Sequence, residues 1–381
     1  MTEENRELLE ILSVSLWSSE PRDEIISDSI RSELQAQAVE GLTAIAYSDT
    51  QNLKYVQTAR FVGMVHMQAE AVQRLQSAGI PVVVIKGTAA GIYYPQPQLR
   101  AYGDIDLMVQ PECYHDALEA LRDAGWRQNG DAGSIHTSLR KNNEWLELHQ
   151  RPSGIEDDQE GQYIYRYLLS GFSDIQEGVV CQAQCRFPML PWRQNGLELI
   201  WHFWVHLNNG IGLRHVIDWM MFANRCLDDQ NFRQFRSVLE QAGLLTLAKA
   251  VTRMCQLYLG LTEEGITWCT DVDPSLCAGL MDFILEQGNF GNKKTDDRTA
   301  KALTRYRSIS SLLAGMQRKG RREWLAAQKH PVLRPFAWLY VGIRSAKILL
   351  TPSGREEFQQ ARVESSRRNE VFDQLFGNKS K

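Results

Sequence analysis

The chain lacks several features that would place it quickly. None of its apolar runs is long enough to span a bilayer. The nearest, Phe336 to Leu350, is broken by Arg344 and Lys347. Cysteine is sparse and odd in number: the seven residues Cys113, Cys181, Cys185, Cys226, Cys255, Cys269 and Cys277 are scattered, which argues against a disulfide framework. The first residues, Thr-Glu-Glu-Asn-Arg-Glu after Met1, have no apolar signal core, so the expectation is reduced thiols and a cytoplasmic protein. Excess positive charge is also missing. A formal net charge of −4 over 381 residues does not advertise nucleic acid or an anionic membrane as the partner of the whole chain. Internal repeats and low-complexity tracts are absent as well.

What is present reads as a folded chain of ordinary composition, 43% hydrophobic and 23% charged, and its length favours two domains over one. Residues 5 to 79 show apolar spacing near three to four, over Leu8 to Leu12, Ile25 to Ala46 and Tyr55 to Leu75, and predict helices. Gly79 ends the last of these and Pro81 starts a strand. From 81 to about 150 the period shortens. Val82 to Ile85, Ile105 to Val109 and Trp145 to His149 predict strands, with a helix over Cys113 to Ala124 closed by Gly125. Residues 152 to 160 are polar and acidic and read as a loop. From Pro188 the chain turns helical again, with turn signals at Asn208-Asn209-Gly210, Gly243 and Gly260. The expected organisation is α+β: an N-terminal helical region over 1–79, a small mixed-sheet α/β unit over 80–187 and a C-terminal helical domain over 188–381.

The densest chemical signal lies between residues 86 and 149. An apolar run ends at Lys86-Gly87-Thr88, and a second run carries Asp104-Ile105-Asp106. Strand alternation places Asp104 and Asp106 on one face, toward solvent, and Ile105, Leu107 and Val109 on the other. Trp145, Glu147 and His149 alternate in the same way against Leu146 and Leu148. If the two strands are neighbours, Glu147 supplies a third carboxylate. Carboxylates at such spacing suit hard divalent cations, Mg²⁺ or Mn²⁺, which also take phosphate oxygens and water. Three of them can hold two metals, one at the attacking oxygen and one at the leaving pyrophosphate. Gly87 lets a phosphate approach the backbone, and Thr88 adds a hydroxyl where free N–H groups favour anions. Lys86 and Arg100 are placed to neutralise phosphate charge.

Other groupings admit more than one reading. His202 and His206 are one helical turn apart, which is zinc-ligand spacing, but they sit among Trp201, Phe203, Trp204 and Val205 and read as packing histidines on an interdomain helix. Cys181 and Cys185 have no second pair at finger spacing. Arg214 and Asp218 share a helical face, either as an ion pair or with Arg214 on a triphosphate and Asp218 orienting it. The basic stretch 293–322 reads as a solvated helix face diluted by Asp296 and Asp297, or as a surface for an anionic acceptor such as RNA. Phe336 to Leu350 is amphipathic and aromatic and reads as a packed C-terminal helix, with membrane-surface docking as the alternative.

Taken together, Ile85-Lys86-Gly87-Thr88, Tyr93-Tyr94, Arg100, Asp104-Ile105-Asp106-Leu107, Val109 and Ala124-Gly125-Trp126 resemble the uncharacterised nucleotidyltransferase family of the DNA polymerase β superfamily. Glu147-Leu148-His149 is similar to that family's later acidic-apolar-His strand. Leu213-Arg214-His215-Val216-Ile217-Asp218 is similar to its apolar-Arg-x-x-x-x-Asp segment. The superfamily's usual Gly-Ser turn is Gly-Thr here. The resemblance covers about residues 50 to 230. It implies a polymerase β-like catalytic unit, Mg²⁺ dependence and a nucleoside triphosphate donor, and leaves the acceptor open among protein, RNA and small molecules.

The expected activity is therefore transfer of a nucleoside monophosphate from an NTP, with pyrophosphate released. Asp104, Asp106 and Glu147 would bind metal, and Lys86, Gly87, Thr88, Arg100 and Arg214 would bind nucleotide. Two rivals use the same residues. A glycosyltransferase holding a nucleotide-sugar through Asp-x-Asp needs a nucleotide-binding βαβ half before the acids, whereas the preceding segment is helical with one strand. A non-catalytic, antitoxin-like binding protein would have less use for three acids.

Overall fold

Every side chain of strand β2 (Ile105–Val109) is buried, and this central strand organises the rest. A computed structural model of the 381-residue chain describes residues 1–289 apart from 19, 130–135, 156–157 and 181–184, then 293, 330–349 and isolated positions up to 375. Two compact units are separable, Met1–Lys293 and Lys294–Lys381.

The first unit contains a seven-stranded mixed sheet in the order β3-β4-β5-β2-β1-β7-β6. Its strands are β1 Val82–Val84, β2, β3 Arg127–Gln128, β4 His136–Lys141, β5 Glu144–His149, β6 Gln176–Val180 and β7 Cys185–Met189. β1 runs antiparallel to β2, pairing Val84 with Leu107, while β5 runs parallel to β2 on its other side. The three strands expected from alternation are there. β3, β4, β6 and β7 extend the sheet beyond them.

Eleven helices of this unit are needed below or frame the site: α1 Glu3–Trp17, α2 Asp28–Ala36, α3 Gln51–Ser77, α4 Gly87–Gly91, α5 Tyr114–Asp123, α6 Gln159–Ser170, α7 Trp192–Asn209, α8 Leu213–Cys226, α9 Asp229–Gln241, α10 Leu245–Tyr258 and α11 Pro274–Gln287. The fold is α+β, with helical segments on either side of the sheet region in sequence. Apolar residues of α3 (Phe61, Met64, Val65, Val72) and α5 (Ala117, Leu118, Leu121) form one core with Ile105, Leu107, Val109, Leu146 and Leu148. Burying an aliphatic side chain of that size contributes about 1.5–3 kcal/mol, so register is strongly held: a one-residue slip of β2 would turn its leucine and valine away from the apolar core and its aspartate into it. The opposite face is left for polar groups. α7 and α8 pack tightly, since a Cβ at Gly196 would lie 2.2 Å from Phe222. α8 is buried from Leu213 to Ala223. A helix this enclosed can carry Arg214, His215 and Asp218 only if those groups meet partners.

In the second unit, a 3₁₀ turn over Pro331–Phe336 leads into the helix Ala337–Leu349. Gln317 Nε2 donates to the Arg334 carbonyl at 2.6 Å and Trp324 stacks on Tyr340. Among the described residues no helix is long and apolar enough to cross a membrane. The basic stretch 293–322 lies outside the described residues except at Lys293, Leu313, Met316 and Gln317, and Cys181 lies outside them altogether.

Candidate active site

The register of the two central strand pairs builds the site. β1 and β2 pair antiparallel, and the Ile85 N–H donates to the Asp106 carbonyl at 3.0 Å. Continued past β1, that register sets Gly87 against Asp104, where a Cβ on Gly87 would sit 3.9 Å from the Asp104 carbonyl oxygen. On the other side, Asp106 is opposite Glu147 and Met108 is opposite His149. Beyond β5, His136 of β4 is opposite His149 and Ser138 is opposite Glu147. Carboxylate oxygens of Asp104, Asp106 and Glu147 come within 4.8 Å of one another. They open on a cavity of about 260 Å³ whose lining includes Lys86, Gly87, Arg100, His136 and, from the helical side, His202, His206 and Arg214.

The two aspartates differ in environment. Asp106 does not face solvent as alternation alone suggests: it is 5% exposed. Lys86 Nζ donates to its Oδ1 at 2.9 Å, and His149 Nε2 lies at the same distance from that atom. Burial opposes the Asp106 charge, but Lys86 and His149 outweigh it and hold the carboxyl far below its ordinary value. Lys86 is likewise held above the usual lysine range, burial being overcome by Asp106 and Glu198. Asp104 goes the other way. The Asp106 charge, then burial, then Glu147 push it up to about 6. Glu147 is held low: burial is outweighed by its hydrogen bond with His149, whose Nε2 is 3.3 Å from Oε2. His136 Nε2 lies 3.4 Å from the other Glu147 oxygen.

The expected phosphate ligands separate. Gly87 lines the cavity with φ +25°, and Lys86 before it takes φ +54°, a left-handed conformation that costs a lysine of order 1–3 kcal/mol. Thr88 turns away. Its hydroxyl donates to Gln68 Oε1 at 2.8 Å in a buried contact, so it does not reach the cavity. Lys86 reaches the cavity, but its charge is matched by Asp106. Arg100 is committed to Asp218: Nε donates to Oδ1 at 2.6 Å and Nη2 to Oδ2 at 2.7 Å. Tyr94 Oη donates to the same Asp218 carboxylate at 2.8 Å. Asp218 thus pairs across the fold with Arg100, which leaves Arg214 on the cavity wall. Arg214 lines the cavity. Burial, then the nearby Arg100, shift it below the ordinary arginine value, and arginine still stays charged.

Sequence reasoning did not single out several residues of this region. Glu198 of α7 is 1% exposed, and its Oε2 has no hydrogen-bond partner among the described residues. Burial is the main cause that raises its carboxyl to about 7. His136 and His215 were also missed. No periodicity marks them, because their neighbours come from other elements.

A mixed sheet presenting three convergent acids, a glycine turn and an arginine in one cavity is equipped for transfer chemistry on phosphates. The family model described as uncharacterised nucleotidyltransferase matches residues 28–260, and the chain belongs to that family. The protein is thus a nucleotidyltransferase. No curated protein matches it. Among solved structures it is similar to the one titled as the solution structure of antibiotic-resistance factor ANT(2'')-Ia, at 12% identity and TM-score 0.34, over 47% of this chain and 92% of that one.

Proposed function

We propose that the protein is a divalent-metal-dependent nucleotidyltransferase that moves a nucleoside monophosphate from an NTP to an acceptor and releases pyrophosphate. The observation that carries this reading is the convergence of Asp104, Asp106 and Glu147 beside Gly87. The donor set fits Mg²⁺ or Mn²⁺: all three ligands are hard oxygens, and the mutual repulsion that raises Asp104 is what a cation relieves. Divalent ions held there would supply charge for the attacking and leaving oxygens of an in-line displacement.

The chain's own residues do the positioning. Gly87 leaves room for a phosphate to come against the backbone. Arg214 supplies a cation on the helical wall for the triphosphate or for an anionic acceptor. Lys86 keeps Asp106 ionised and oriented toward the carboxylate cluster. Glu147, held ionised and hydrogen-bonded to His149, is the group to accept the acceptor's proton, with His136 on its second oxygen as a route outward. Arg100 and Tyr94 fix Asp218, which ties α8 to the sheet and fixes where Arg214 projects. Phosphoryl transfer asks mainly for such placement and charge complementarity. In this division residues 80–187 form the catalytic unit, the helices after 188 supply the second wall and 1–79 buttress the sheet. The reaction is assigned to the cytoplasm.

Pyrophosphate release tests the reading. The full chain with each of the four NTPs and Mg²⁺ or Mn²⁺, against a panel of hydroxyl and phosphate acceptors, should release pyrophosphate with at least one pairing and none after chelation. A folded protein that binds NTP–Mg²⁺ and never releases pyrophosphate would replace this reading with the non-catalytic binder.

A further inference from the structure

Three histidines on the helical wall face one another. His202 and His206 lie one turn apart on α7, and His215 lies in the first turn of α8. Their ring centres are 4.4 Å apart for His202–His206, 5.2 Å for His202–His215 and 4.2 Å for His206–His215. One ring nitrogen from each comes within 4.8 Å of the others. Three imidazoles on one tetrahedral ion, with metal–nitrogen bonds of about 2.0–2.1 Å, have ring centres about 5 Å apart. The observed triangle is within an ångström of that, so small side-chain adjustments close it on an ion.

The surroundings favour ligation. His206 Nδ1 lies 3.2 Å from the Gly210 carbonyl. In the neutral ring that nitrogen is the donor and Nε2 carries the lone pair, the usual way in which a backbone carbonyl orients a ligating histidine. Burial first, with the Arg214 charge at all three rings and neighbouring imidazoles at His202 and His215, lowers each toward the neutral form that binds metal, His206 to about 4. Nitrogen donors select a borderline ion over Mg²⁺, so this triad and the carboxylates would sort two metals by ligand type. His202 and His206 line the cavity, which leaves a fourth position facing it. Arg214 Nη2 donates toward His215 Nε2 at 3.5 Å, so ligation by that nitrogen requires the guanidinium to swing aside, and its charge would repel a bare dication. An anionic oxygen in the fourth position offsets that repulsion.

We propose that His202, His206 and His215 form a transition-metal site of the Zn²⁺ class, with an open fourth position in the catalytic cavity for hydroxide or an anionic oxygen of the acceptor. The site stands apart from the carboxylate reading, and either can fail alone.

The test uses the full chain, stripped of metal by a chelator and dialysed, then titrated with Co²⁺. One equivalent should produce the intense visible bands of tetrahedral Co²⁺. His202→Gln and His206→Gln should each abolish them, and Asp104→Asn and Glu147→Gln should leave them unchanged. Bands that survive both histidine variants, that vanish in Glu147→Gln, or that never form would overturn the proposal. If the histidine variants fail to fold, zinc X-ray absorption on the wild-type chain decides. Three imidazoles at about 2.0 Å support the site. An oxygen-dominated shell, or no bound zinc, refutes it.

Discussion

Asp106 on β2 stands directly opposite Glu147 on β5, in register across a parallel strand pair. This pairing, rather than the Asp-x-Asp spacing alone, brings a third acid to the site. The resulting cluster is electrostatically asymmetric: Lys86 and His149 compensate Asp106, while Asp104 takes the repulsion.

Single substitutions should therefore act in opposite directions on the metal-free chain. Asp104→Asn removes a strained charge and should stabilise by on the order of 2 kcal/mol at pH 7. Asp106→Asn breaks a buried pair and leaves Lys86 uncompensated, which should cost about 3–5 kcal/mol. Urea unfolding in the presence of a chelator measures both. Equal effects of one sign would contradict the asymmetry.

The pH dependence follows with the same sign. A carboxyl whose folded value lies near 6, above its ordinary 3.8, takes up a proton more readily folded than unfolded. Its cost to stability is absent below about pH 4 and complete above about pH 6. The stability gap between Asp104→Asn and wild type should open across that window and stay flat from pH 7 to 8. Asp106, held low, contributes stability that is present above its ordinary value and lost only in stronger acid.

Asp218 should prove structural first and functional second. Asp218→Asn removes the partner of a buried, bidentate Arg100 and should cost about 3 kcal/mol or more. Arg100→Lys should lose most of the same interaction, because an ammonium cannot reproduce the two-pronged contact. Thermal melts of the two variants and their double mutant should show strong non-additivity. Simple additivity would mean the pair is not coupled.

The turn residues should separate stability from nucleotide binding. Thr88→Ala, which frees Gln68 in the core, should lower stability by about 1 kcal/mol and leave NTP affinity unchanged. Gly87→Val should fill the cavity beside Asp104 and weaken NTP–Mg²⁺ binding at least tenfold, with a stability loss from its positive φ. Fluorescence titration with circular dichroism as the folding control reads both. A folded Gly87→Val with wild-type NTP affinity would place the phosphates elsewhere.

Much of the site was legible because strand alternation is a local property. Ile105, Leu107, Leu146 and Leu148 mark one buried face, so Asp106, Glu147 and His149 fall on the other without knowledge of the fold. The glycine that opens α4 was equally plain. Pairing choices were not. Lys86 meets Asp106, Arg100 meets Asp218 and Thr88 meets Gln68 because of how β1, α8 and α3 pack, and no short-range pattern encodes those contacts. The acids were expected to face solvent, and Asp106 is buried instead between Lys86 and His149. β4 escaped notice because its alternation, Thr137 and Leu139 against Ser138 and Arg140, carries one strongly apolar residue. His215 could not be joined to His202 and His206 from spacing, since the turn at Gly210 that folds α8 back on α7 determines their approach.

The proposed chemistry rests on three carboxylates, Asp106 and Glu147 on adjacent strands and Asp104 just before the first, sharing a divalent ion. Mn²⁺, a weak competitor for nitrogen sites, is the suitable probe, and isothermal calorimetry at pH 7.5 on wild type and Glu147→Gln is the direct measurement. Glu147→Gln should keep its fold and lose at least tenfold in Mn²⁺ affinity, about 1.4 kcal/mol. A folded Glu147→Gln that binds Mn²⁺ as tightly as wild type would show that the three acids do not share an ion.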